Sequence, residues 1–173
     1  MSSPAADRRH FLMTGDGFVD WRGTEFAVIE RPQWSLRGMF RRSDQEVRVL
    51  SPDGSLLFQM PRQRTRDIDA LLIEGGSGAP VATLRRTGRE ALAGNLFEAA
   101  DAQGASFGTV RGNDLYTEFE VMDPRQMSVG HISARGGLTT IRCPDDGERW
   151  RYLLMGLAMA AEVAAELQAQ RTP

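Results

Sequence analysis

Lysine is absent from this chain of 173 residues, and all 21 basic residues are arginine. Every cation is therefore a planar, permanently charged fork, a shape that matches carboxylate and phosphate groups. The single cysteine, Cys143, excludes an internal disulfide framework and a cysteine-rich zinc site. Two histidines, His10 and His131, are too few for a histidine-rich metal centre. Long apolar runs are missing as well. A bilayer span takes roughly 20 apolar residues, whereas Arg151 and Glu162 confine the uncharged part of the C-terminal segment to ten positions, Tyr152–Ala161. Asp7-Arg8-Arg9-His10-Phe11-Leu12-Met13 resembles a twin-arginine export signal. Thr14-Gly15-Asp16-Gly17 stands where that signal needs its apolar stretch. The expectation is a cytoplasmic protein with residues 1–10 as a flexible tail.

What is present is globular. Hydrophobic residues make up 41% and charged residues 25%, enough for a real core in a single domain over residues 11–173. A net charge of −2 argues against a duplex DNA binder, and no nucleic-acid partner is expected. The charge is uneven: residues 31–89 hold 11 arginines against 6 acids, the remainder 10 against 17. Such asymmetry marks an anion-facing surface or, more blandly, solvated strand faces.

From about Phe26 to Cys143 the chain reads as short strands punctuated by turns. Glu46–Leu50 and Leu56–Met60 pair across Ser51-Pro52-Asp53-Gly54, where Pro presets the turn and Gly closes it. Ile68–Glu74 pairs with Val81–Arg86 across Gly75-Gly76-Ser77-Gly78. Leu96–Ala100 pairs with Ser106–Val110, and Leu115–Met122 with Val129–Ser133. Leu138–Cys143 follows Gly136-Gly137 as a last strand. Alternation places Leu115, Phe119 and Val121 on one face and Glu118 and Glu120 on the other. The return strands repeat a pattern of apolar, small, polar, apolar: Val81-Ala82-Thr83-Leu84, Phe107-Gly108-Thr109-Val110, Val129-Gly130-His131-Ile132. A small residue at that place suits a closed, curved sheet.

The C-terminus changes character. Pro144 and the acids Asp145, Asp146 and Glu148 precede a helix expected from about 148 to 170, and acids suit its positive end. Trp150, Tyr152, Leu153, Leu154, Met155, Leu157, Met159 and Val163 cover all sides of that helix. A helix that is apolar all round must be surrounded. In a monomer of this size the available wrapping is the sheet, so the fold expected is a closed antiparallel β-barrel around a buried hydrophobic C-terminal α-helix. Gly156 and several alanines keep the helix thin, and Glu162 and Glu166 mark its emergence into water.

These features resemble the tubby-like C-terminal fold, in the branch containing phospholipid scramblases and LURP-one-related proteins. The resemblance is carried by Val49-Leu50-Ser51-Pro52-Asp53-Gly54-Ser55-Leu56-Leu57-Phe58, by Val81–Arg86 and Phe107–Val110, and by Arg151–Glu162, and spans roughly Phe26 to Gln168. It implies about twelve strands around the helix. It also implies association with acidic membrane lipids, with lipid movement in some eukaryotic members. The cysteine cluster, proline-rich arm and calcium-site pattern of eukaryotic scramblases are not recognisable, so calcium dependence is not carried over.

No catalytic motif stands out, and the expectation is a non-enzymatic module without cofactor or metal. His131 reads as a satisfied strand histidine rather than a base, and Cys143 as a small buried apolar residue. The candidate ligand-binding residues are three arginine groups: Arg37, Arg41 and Arg42; Arg62, Arg64 and Arg66; and Arg85 with Arg86. Trp34 and Phe40 are candidate membrane contacts beside the first group. Arginine forks suit phosphate, and interleaved aromatics suit an interfacial zone. The partner expected is an acidic phospholipid surface, with peripheral attachment at the inner membrane face. The alternatives are a scramblase-like activity through the terminal helix, or a protein-interaction scaffold.

Overall fold

The computed structural model describes residues 9–30, 46–61, 68, 70–90, 94–145, 147–169 and 171. Twelve strands run β1 (His10–Met13), β2 (Gly17–Asp20), β3 (Glu25–Glu30), β4 (Val47–Leu50), β5 (Leu56–Met60) and β6 (Ala70–Gly75), then β7 (Pro80–Glu90), β8 (Gly94–Asp101), β9 (Ser106–Gly112), β10 (Glu118–Met122), β11 (Ser128–Arg135) and β12 (Leu138–Arg142). Among the described residues one helix follows, α1 (Glu148–Ala169). Each strand pairs antiparallel with its neighbours in sequence, and β1 pairs with β12 to close the barrel.

The helix fills that barrel. Every residue from Tyr152 to Ala161 is buried, and Leu154 and Leu157 are fully so. Its side chains meet strands on opposite sides of the ring. Tyr152 stacks on Phe58 of β5 at 4.9 Å, Trp150 packs edge-on against Phe107 of β9 at 4.7 Å, and Ala158 and Ala161 line one hollow together with Ile132 of β11. The need to surround an all-apolar helix is thus met by the chain's own inward residues, among them Phe11, Phe18, Leu84, Phe97 and Ile141. Glu162 and Glu166 are exposed where the helix leaves the ring.

Small residues mark the tightest contacts. A Cβ on Gly108 would lie 2.7 Å from the Trp150 ring and 2.6 Å from the Met122 carbonyl oxygen. Of the three small return-strand residues, Ala82, Gly108 and Gly130, all are buried. Gly156 of the helix faces the other wall, where a Cβ would fall 2.7 Å from Ile73 Cδ1 and 3.0 Å from Met60 Sδ.

Among the described residues one turn is used five times at the barrel end where the helix begins. In the segments starting at Asp20, Ser51, Gly75, Asp101 and Asp123, the first residue's carbonyl accepts from the fourth amide, and its own amide donates to the fifth carbonyl. This is a type I turn closed by a left-handed residue. Asp20, Asp101 and Asp123 reinforce it, each carboxylate accepting two amides of its own turn. In the Ser51 copy the acid is Asp53, whose carboxyl is held down to about 2 by hydrogen bonds from the Ser51 and Ser55 hydroxyls and the Ser55 amide. The left-handed place is glycine at Gly104 (φ 83°) but glutamine at Gln126 (φ 62°).

Three expectations need correction. The strands begin before Phe26, with β1 and β2, and His10 lies in β1 rather than in a tail. Leu115 does not share the inward face of Phe119 and Val121, being 64% exposed. The Asn113 carboxamide oxygen accepts the Thr117 and Glu118 amides, folding residues 113–117 into a loop with Tyr116 at φ 56°, so β10 starts only at Glu118.

Gly156→Val is expected to destabilise the protein by about 3 kcal/mol, the upper end of overpacking costs. An unchanged urea midpoint would contradict the seating of the helix against Met60 and Ile73. Gln126→Gly relieves a left-handed side chain and is expected to stabilise by about 0.5–1 kcal/mol; the same urea titration checks it, and a loss of stability would count against the turn assignment.

Candidate functional site

Hairpin registers set side chains from distant positions side by side. His10 faces Arg142 across β1 and β12, Arg142 faces His131 across β12 and β11, His131 faces Glu120, and Glu120 faces Arg111 on β9. Their chain neighbours Phe11, Ile141, Ile132, Phe119 and Val110 are buried. Strand alternation therefore turns this whole row outward. Five strands thus present one lateral line of charge that holds both histidines of the protein.

The line floors two adjoining depressions that share His131 and Arg142. One, of about 610 Å³, is bordered by Arg111, Glu118, Glu120 and Ser128. The other, of about 370 Å³, is bordered by His10, Leu12 and Trp21. Trp21, in the β2–β3 turn, is 56% exposed, with the Arg22 guanidinium 5.0 Å from its ring.

Charge pairing differs along the wall. Glu118 Oε2 lies 3.0 Å from His131 Nε2, and Glu118 Oε1 accepts from Arg135 Nε at 2.7 Å and from the Ser133 hydroxyl at 2.9 Å. Partial burial opposes ionisation of Glu118. The hydrogen bonds from Arg135 and Ser133, with the charges of Arg135 and His131, outweigh it and hold the carboxyl below the usual carboxylate range. By contrast, the side chains of His10, Arg111 and Arg142 make no hydrogen bond or ion pair with the described residues. The Arg111 Nε is buried without a partner. Arg111 and Arg142 thus line one hollow without a side-chain partner among the described residues, and guanidinium forks match the geometry of anionic oxygens. Among the described residues no cluster of three or more His, Cys, Asp or Glu side chains could hold a metal ion.

Of the residues expected from the sequence, Arg85 and Arg86 are among the described residues. Trp34, Arg37, Phe40, Arg41, Arg42, Arg62, Arg64 and Arg66 lie outside the described residues. Arg85 and Arg86 sit in β7, where the pleat sends them to opposite faces. Arg85 is exposed opposite Glu98. Arg86 donates to the Tyr116 hydroxyl at 2.9 Å and lies over the Phe97 ring, tying β7 to the β9–β10 loop. The outward row was missed because its members are about ten or more positions apart in sequence. One signal was readable: folding the chain about Gly136-Gly137 puts Arg142 opposite His131.

None of the known protein families matches the chain, and neither does any curated protein. Among solved structures it is similar to an X-ray structure of a protein from Arabidopsis thaliana, with a TM-score of 0.57 and 13% identity, covering 92% of this chain and 90% of that one. At that identity the likeness shows the fold alone.

Because the Glu118 carboxyl is held low in the folded protein, its contribution to stability is present above the ordinary glutamate range, about 4.3, and is lost as pH falls through the folded value. The stability gap between the protein and Glu118→Gln is therefore expected to close in acid, below the ordinary glutamate range. The gap stays below about 1 kcal/mol, since Arg135 is largely exposed and screened. Urea midpoints measured across pH check this; a gap that does not change with pH would contradict it.

Proposed function

We propose that the protein is a non-enzymatic barrel module that binds acidic phospholipid headgroups at a membrane surface, working in the cytoplasm and at the inner membrane face. The observation that carries this reading is the pair of unmatched guanidiniums, Arg111 and Arg142, on one outward hollow, with the exposed Trp21 bordering the second hollow that adjoins it at Arg142. Guanidinium forks fit phosphate oxygens. An indole with an apolar body and a polar N–H suits the boundary between headgroups and acyl chains. The closed barrel around a buried apolar helix supports membership of the tubby-like branch with the scramblases and LURP-one-related proteins.

The same architecture favours lipid binding over lipid movement. No helix among the described residues is long and apolar enough to cross a membrane, and α1 supplies the core that the strands close around. Withdrawing it would expose Leu153, Leu154, Met155 and Leu157 together with the barrel lining.

Co-sedimentation with phosphatidylcholine vesicles, with and without phosphatidylserine, over a salt series tests the reading. Pelleting is expected only with the anionic vesicles and is expected to weaken as salt rises. Each basic group near such a surface contributes about 1 kcal/mol, so the double variant Arg111→Gln, Arg142→Gln should bind roughly 30-fold more weakly. Equal pelleting with neutral vesicles, or none with either, would overturn the reading. Loss on replacing Arg62, Arg64 and Arg66 but not Arg111 and Arg142 would overturn the assignment of the site to Arg111 and Arg142.

A further inference from the structure

The row His10–Arg142–His131 has a symmetry that anion binding alone does not use: one unmatched guanidinium stands between two imidazoles on adjacent strands. We infer that this stretch of the wall is a proton-gated receptor for a phosphate group. The inference rests on the anion-binding reading above and adds to it the ligand's chemistry and its control by pH.

The permanent charges around the row nearly cancel. Arg142 on β12, Arg111 on β9 and Arg135 on β11 are positive, and Glu118 and Glu120 on β10 are negative. From the flanking turns, Arg22 stands over Trp21, and the Asp20 and Asp123 carboxylates are engaged by their own backbone amides. Arg125 of the β10–β11 turn lies near the start of β11, and Arg9 precedes His10. With neutral imidazoles the β9–β12 groups leave an excess of one positive charge, and Glu120, between Arg111 and His131 in register, repels an incoming dianion. Imidazole is the ordinary side chain that gains its proton between pH 8 and 5. Protonation of His10 and His131 raises the excess to three and turns each ring into a two-donor cation. Glu118 takes one donor of His131 at 3.0 Å; the second then serves a ligand seated on Arg142. A phosphate oxygen cluster offers enough acceptors for the guanidinium fork and a donor from each side. A carboxylate, with two oxygens, satisfies fewer of them. Acidification therefore favours binding through added attraction, and the bound anion in turn favours the protonated rings.

Two histidines in the whole chain make the test direct. The imidazole C2 protons are followed by NMR over pH in the intact protein, assigned with His10→Asn and His131→Asn. Titrations are run in chloride, sulfate and inorganic phosphate at matched ionic strength. Sulfate stays a dianion throughout, so it separates the protein's titration from phosphate's own. Both midpoints are expected to move to higher pH in sulfate and phosphate relative to chloride, and Arg142→Gln should abolish the movement. In parallel, phosphatidylcholine vesicles carrying phosphatidic acid are expected to bind about tenfold more tightly at about pH 5.5 than at about pH 8. Midpoint shifts without vesicle binding at either pH would support the phosphate receptor, assign it a soluble phosphate and sink the membrane reading. Vesicle binding with identical midpoints in all three anions would overturn the receptor while leaving the membrane reading standing. Identical midpoints and no vesicle binding would overturn both.

Discussion

Enclosure of an apolar helix by a closed sheet is the constraint on which the rest of this structure depends. Neither partner is stable in water by itself. The helix has no polar face to show over Tyr152–Ala161, and the strands carry an inward row of Phe, Ile, Leu and Val that needs something to pack on. Closing β1 onto β12 removes the sheet's free edges, which would otherwise pair with other chains. The fit is tight enough that Gly108 and Gly156 are required where wall and helix approach most closely. All the chemistry the protein shows to its surroundings is consequently left to the outer wall and the two ends.

Much of this was legible in the chain. The all-round apolar segment after Pro144, the glycine-closed turns and the small residues of the return strands together specify a curved sheet around a helix. The turns were readable because the physics is local: an Asp carboxylate captures the amides of its own next few residues. One failure was also local in origin, the other long-range. Leu115 obeys the alternation of β10 on paper, but Asn113 captures the amides at 117 and 118 first and ends the pattern there. His10-Phe11-Leu12-Met13 has the inward–outward alternation of a strand, but its pairing partner is β12, over 120 residues on, which no local pattern reports.

The candidate surface was harder to read because its members are brought together by long-range pairing. Clusters in sequence and clusters in space are different objects on a sheet. Arg85 and Arg86 are neighbours in the chain, yet strand alternation parts them, and Arg86 is spent on Tyr116 and Phe97. His10, Arg111, Glu120, His131 and Arg142 look unrelated in the chain, yet successive hairpins line them up. Antiparallel meanders make such rows wherever hairpin centres are spaced regularly, so the candidate site is a product of the barrel's register as much as of the residues in it.

An enclosed helix that forms the core should remain inside its barrel whether or not anionic vesicles are present. Amide hydrogen exchange of the intact protein, with and without anionic vesicles, measures this residue by residue. Amides of Leu153–Ala161 should be among the slowest in the molecule and should stay slow when vesicles are added. Fast exchange across that segment in the free protein, or protection there that depends on lipid, would contradict the enclosed helix and the architecture built around it.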